Sequence, residues 1–310
     1  MSRARHPALP YLALAGLALI WGVSFFLIKI AVHDMSPTVL LLVRSASGCL
    51  ALAVIVRAMG RPLFSPGWRS LLIPFAIMAV TNALIPWVAI AWGEERISSG
   101  LASILNSTTT LWTAALVYWV VPTERPSRLN YAGVILGFAG VVILVFPEIS
   151  AHGLSGNFFA SIAVVGAALS YAINALYQRR RMRNVSVFEV SLGQLVFSVL
   201  FAIPIAAPAI PSVHVAFTSM AAVIALGVGG TGIAYLLYYY VMNTLGAVRA
   251  AGVTFLVPIT AVFWGVVLLH ETLSLAVVAG MIVILAGIVL TNIRRAARPE
   301  PLTERDTAAA

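Results

Sequence analysis

Apolar runs of roughly twenty residues recur along the whole of this chain, each long enough to cross a hydrocarbon core of about 30 Å as a helix. In lipid, every backbone N–H and C=O must be satisfied inside the protein. The bilayer is therefore the solvent for most of this sequence. Of its 310 residues, 61% are apolar and 9% charged, with a mean hydropathy of +1.00. A soluble domain of this size needs far more charged surface. The net charge of +9 does not point to nucleic acid, because the arginines sit in short loops and not along one polar face. Cys49 is the single cysteine, so neither an intrachain disulfide nor a cysteine metal site is expected.

The runs predict spans at 10–31, 38–56, 70–92, 98–120, 129–146, 157–177, 187–207, 215–241, 248–269 and 275–292. Breakers mark the junctions: Ser36-Pro37, Gly60-Arg61-Pro62, Pro122 with Pro126, Pro147, Pro208 with Pro211, and Gly246. The first run continues through Trp21 to Ile30, too long for a cleaved signal segment. With the N-terminus inside, sixteen of the nineteen Lys and Arg residues fall in cytoplasmic segments. Arg96 alone is external, and Lys29 and Arg44 lie within spans. A miscounted helix would destroy this bias, so the positive-inside pattern supports the count and places both termini in the cytoplasm.

The two halves resemble each other. Ala13, Gly16, Ala18 and Leu19 match Ala163, Gly166, Ala168 and Leu169 at an offset of 150. Trp21 faces Tyr171, Lys29 faces Arg179, and Arg44 faces Gln194. In the fifth span, Glu124, Ser127, Gly133 and Gly140 match Glu271, Ser274, Gly280 and Gly287 at an offset of 147. A unit of five helices has an odd number of crossings, so its copy runs upside down. The expected fold is an all-α membrane protein with ten transmembrane helices as two inverted five-helix repeats. Many secondary transporters are built this way. The first repeat covers 10–146 and the second 157–292, joined by an external linker at 147–156. The tails at 1–9 and 293–310 are cytoplasmic, and the second reads as disordered.

Several residues in this frame resemble the EamA type of drug/metabolite transporter. They are Trp21-Gly22-Val23-Ser24-Phe25-Phe26 with Lys29, Arg44, and Glu124 and Glu271 at the starts of the fifth and tenth helices. The most specific piece is Leu245-Gly-Ala-Val-Arg-Ala-Ala-Gly-Val-Thr-Phe-Leu-Val-Pro258. The resemblance covers residues 10–292 and departs at Thr109, which aligns with Pro258 where the family's first repeat often has proline. It implies export of amino acids, related metabolites or toxic compounds across a bacterial inner membrane, and leaves the substrate open.

Paired helix interruptions are the best pointer to a transport site. The third span carries Thr81-Asn82 and Pro86, and its mate carries Gly227 to Gly232. The fourth carries Asn106 to Thr110, and its mate Thr254 and Pro258. A central cavity is expected among these four, capped by parts of the first and sixth. The expected substrate-binding set is Arg44, Asn82, Trp87, Asn106, Thr109, Trp112, Gln194, Tyr235, Tyr239 and Pro258. Asn82 and Asn106 suit a zwitterion or amide, although helix–helix hydrogen bonding would use the same residues. Arg44 either binds a substrate carboxylate or braces the bundle.

No carboxylate or histidine falls at mid-depth. Glu94, Glu95, Glu124, Glu148 and Glu271 read as loop-edge residues, and Glu189 lies just inside its span. Gradient-driven movement without a buried coupling carboxylate is therefore the expectation. Paired aspartates, HExxH and nucleotide-binding glycine loops are absent, which speaks against an enzyme. A channel-like pore remains the alternative. No cofactor is implied, the partners are the bilayer and a small-molecule substrate, and a single chain suffices.

Overall fold

The computed structural model describes residues 8–120, 127–152, 154, 156–212, 215–245, 250 and 252–292. Glu124, Gly246 and both charged tails, expected to carry topology signals, lie outside the described residues. The described chain is all-helical. In order, the helices are α1 (Leu9–Ala31), α2 (Pro37–Ala58), α3 (Trp68–Glu94), α4 (Ser99–Asn106), α5 (Thr109–Val120), α6 (Arg128–His152), α7 (Gly156–Arg181), α8 (Val187–Ala206), α9 (Phe217–Leu245), α10 (Val253–Leu269) and α11 (Leu275–Asn292). Eight of them are each long and apolar enough to cross a membrane. Of the other crossings, α10 is shorter and α4–α5 is one crossing with a break.

The helices pair closely. α6 packs on α11, α1 on α10, α2 on α8, and α3 on α7. Glycines set the first of these contacts. A Cβ placed on Gly287 would lie 2.5 Å from the Gly137 nitrogen and 2.6 Å from the Gly133 carbonyl oxygen, so the two backbones touch. Asn130 reaches across and donates to the Thr291 carbonyl at 2.8 Å. Between α2 and α8, the Ser45 and Ser198 hydroxyls meet at 2.8 Å.

The breaks have local causes. Pro86 has no N–H, and its ring crowds the carbonyl of the residue four before it. The helix makes room with a π-helical turn at Val80–Leu84. In α9 the glycine-rich stretch Val228–Ile233 is also π-helical. Trp21 Nε1 donates to the Gly230 carbonyl at 3.2 Å, and Ser170 Oγ donates to the Thr81 carbonyl at 2.8 Å. Each π turn thus receives one side-chain donor from the first helix of the opposite half.

The α4–α5 break forms although Thr109 stands where a proline is common. Three hydroxyls in a row bond back to carbonyls: Ser107 to Ile104 at 2.6 Å, Thr108 to Leu105 at 2.6 Å, and Thr109 to Asn106 at 2.8 Å. They compete with the amide ladder and turn the chain. Pro147 ends nothing. α6 continues through it to His152, so most of the expected 147–156 linker is helix. A proline near a helix end forfeits a single N–H bond, which transmembrane helices tolerate.

Candidate functional site

α1, α2, α3, α7, α8, α9, α10 and the α4–α5 junction enclose a cavity of about 360 Å³, within the usual range of ligand pockets. Eight of the ten sequence-predicted site residues line it: Arg44, Asn82, Trp87, Asn106, Thr109, Gln194, Tyr235 and Pro258. Trp112 and Tyr239 do not. Trp112 packs edge-on against Phe138, centroids 4.7 Å apart, where α5 meets α6. Tyr239 packs on Phe188 at 4.6 Å near one end of the bundle. Both lie on predicted helices, but turned toward neighbouring helices instead of the cavity.

The π turn of α3 presents Asn82. Its Nδ2 donates to Gln194 Oε1 at 3.0 Å, and Gln194 Nε2 donates to the Tyr235 hydroxyl at 3.1 Å. This chain joins α3, α8 and α9 on one wall. The Asn106 Oδ1, Ser103 Oγ and Thr231 Oγ1 atoms are buried without a hydrogen-bond partner among the described residues, although their residues line the cavity. Sequence reading passed over Tyr171 and Asn174, which also line it. Thr81 donates to Asn174 at 3.2 Å. The available signal was the alignment of Trp21 and Ser24 with Tyr171 and Asn174 at an offset of 150.

Arg44 is the one charged residue among the described lining residues. It is 9% exposed, its guanidinium carbon sits 3.8 Å from the centre of the Trp87 ring, and its Nε has no hydrogen-bond partner. The only described ion pairs are His33–Asp34 and Arg96–Glu95, so no carboxylate neutralises it by direct contact. A desolvated cation stacked on indole is held in place with donor capacity to spare.

Polar contacts tie both ends of the bundle. At one end, Glu189 Oε1 accepts from the Ser65 hydroxyl at 2.9 Å and the Ser65 N–H at 3.1 Å. At the other, Asp34 between α1 and α2 accepts from the Ser219 hydroxyl at 2.6 Å and the Ala216 N–H at 3.3 Å. The Ser219 hydroxyl, followed by His33, holds the Asp34 carboxyl below its ordinary range. A carboxylate depressed by folding stabilises above its unfolded value, near 3.8, and stops stabilising as pH falls through the lower folded value. Asp34→Asn is therefore expected to lower the thermal unfolding temperature in detergent at neutral pH. Its deficit should shrink as pH falls below the unfolded value and vanish once pH is below the depressed folded value.

The EamA-like transporter family model matches residues 8–146 and again 158–293. The curated protein "Uncharacterized transporter YoaV" of Bacillus subtilis is 22% identical over 91% of this chain and 96% of its own length. "Uncharacterized inner membrane transporter YedA" of Escherichia coli is 27% identical over 91% of this chain and 90% of its own. "Probable amino-acid metabolite efflux pump" of Salmonella typhimurium is 26% identical over 90% and 94%. A solved crystal structure superposes with a TM-score of 0.66 at 19% identity, covering 92% of this chain and 96% of that one; it shares the fold.

Proposed function

This chain belongs to the EamA-like transporter family, and from that premise we propose that it exports small carboxylate-bearing metabolites, amino acids foremost, by alternating access through the central cavity. The family and the named relatives point to transport and not to enzymatic chemistry. The single observation carrying the substrate class is Arg44: a buried, stacked, unneutralised guanidinium in a cavity otherwise lined by neutral groups. Burying such a charge costs about 2.5–3.5 kcal/mol on insertion scales, and a substrate carboxylate would offset that cost. The asparagines and Gln194 offer partners to an amine or amide, and Trp21, Tyr171 and Tyr235 offer apolar surface.

The alternating-access reading rests on the inverted repeat. It is supported by the two successive family matches and by reciprocal packing. α1 touches α9 and α10 of the other half, as α7 touches α3 and α5. The crossed bonds Trp21 to Gly230 and Ser170 to Thr81 follow the same exchange. In this reading each half moves as a unit against the other, and the arginine-rich ends and both termini face the cytoplasm. One chain suffices, because both halves that enclose the cavity belong to it.

A substrate panel in proteoliposomes tests the proposal. Labelled neutral and aromatic amino acids are to be exchanged against unlabelled amino acids, their amides and their decarboxylated amines. Competition by the acids, with the amides and amines at least about tenfold weaker, is the expected outcome. That ratio corresponds to about 1.4 kcal/mol. Equal competition by the amines would remove Arg44 from substrate recognition.

A further inference from the structure

The end of the bundle bearing Lys29 holds a second constellation, outside the described cavity lining. Glu94, the last residue of α3, is 0% exposed, and neither carboxylate oxygen has a hydrogen-bond partner. From sequence position it reads as a loop-edge acid. The fold instead buries it beneath α4, α1 and α7, which pack around the end of α3. Two other acids at the same end are treated quite differently. Asp34 is hydrogen-bonded as described, and Glu271 accepts from the Ser99 N–H at 2.7 Å and the Gly100 N–H at 3.2 Å. Glu271 thus caps the start of α4, where the helix dipole favours negative charge.

The charged groups near enough to act on Glu94 are Lys29 from α1, Glu271 from beyond α10, and Arg44 from α2. On its own loop, Glu95 and Arg96 pair with each other at 2.7 Å in an exposed position. α4 carries no titratable side chain, and α7 brings none to this end. Lys29, the nearest candidate to neutralise Glu94, is otherwise engaged. Its ammonium donates to the backbone carbonyl of Glu94 and to that of Ile97, the latter at 2.9 Å.

A carboxylate stripped of water and donors is costly when ionised, and a capped carboxylate beside it adds like-charge repulsion. Glu94 has no donor at either carboxylate oxygen, whereas Glu271 has two backbone N–H donors. The cavity comes within one helical turn of Glu94, where Ile90 lines it. The Ser103 hydroxyl lines it too, and the Ser99 hydroxyl lies one turn further along α4 toward Glu271. Both hydroxyls are buried without a partner.

We propose that Glu94 is a proton-binding site whose protonation state sets whether the Lys29 end of the bundle is latched or open. In the arrangement described, the Glu94 carboxyl carries the proton, and Lys29 latches the α3–α4 loop through its two carbonyl contacts. When this end opens and solvates Glu94, the carboxyl exchanges its proton with water. The resulting anion draws the Lys29 ammonium off the loop carbonyls. Reprotonation from water on that face restores the neutral acid and lets the end close again. No covalent bond other than O–H is made or broken. The proposal adds a pH-dependent latch to gradient-driven movement, and it rests on the transport reading above.

Two measurements on the full chain reconstituted in lipid test it. Infrared difference spectroscopy between neutral and alkaline buffer should show the carbonyl band of a protonated carboxylic acid. That band should be lost in Glu94→Gln and kept in Glu271→Gln. In proteoliposomes, amino-acid exchange by the wild type should vary with pH, and the pH–rate profile should flatten in Glu94→Gln and return in Glu94→Asp. A wild type without the band, or a Glu94→Gln protein whose exchange keeps its pH dependence, overturns the proposal. The spectroscopic arm needs no substrate, so a wrong substrate class and a wrong proton site give different results.

Discussion

Arg44→Met is expected to abolish carboxylate transport while leaving the protein at least as stable as the wild type. The two halves of that result have different origins. Removing one member of a buried charge pair costs about 2–5 kcal/mol, about thirty-fold or more in apparent affinity at about 1.4 kcal/mol per tenfold. In the substrate-free protein the guanidinium has no such partner, and its Nε is unsatisfied. An apolar side chain of similar length there removes a desolvation cost and still packs on Trp87. Replacing buried charge by apolar volume is often neutral or stabilising. Arg44→Lys keeps the charge but loses the flat stacking surface, and should fall between the two. Binding by scintillation proximity and thermal unfolding in detergent measure the two effects separately. A large loss of stability in Arg44→Met would make the arginine a brace and not a substrate ligand.

The second large effect is structural. Gly287→Leu should prevent α6 and α11 from closing. The first added carbon already falls within 2.6 Å of backbone atoms of Gly133 and Gly137, and backbone on both sides leaves nothing flexible to move. Overpacking in ordinary cores costs about 1–3 kcal/mol, and a backbone collision belongs at or beyond the upper end. Loss of the monodisperse peak in gel filtration of detergent extracts is the expected outcome. Gly16→Leu is the control, because a Cβ there meets nothing within 4 Å. Equal behaviour of the two variants would mean that the helices do not touch as described.

Much of this arrangement was legible before any coordinates. The length of the apolar runs located the helices, since bilayer thickness leaves them little freedom. Polar residues beside helix breakers located the cavity, because lipid forbids them elsewhere. What could not be read was rotation about a helix axis. Trp112 and Asn106 lie on one crossing, yet Asn106 lines the cavity and Trp112 packs against Phe138. A mid-helix bend by hydroxyls hides from a search for proline, as at Ser107 and Thr108. Glu94 does stand at the edge of its helix, but its burial went unread for a related reason. Position along the chain reports depth in the membrane, but not which neighbours fold over a side chain, and here three helices do.

The α4–α5 crossing and α10 depart from an unbroken amide ladder by unlike means. Between α4 and α5 the bend depends on hydroxyl bonds, which can be traded back for ordinary amide bonds. α10 carries Pro258 inside its helix, whose missing N–H no rearrangement can restore. One joint is thus adjustable and its counterpart is fixed. Under the proposed alternating access, joints so unlike give the molecule no reason to spend equal time open to each side, and its resting preference would be written in a few oxygen atoms.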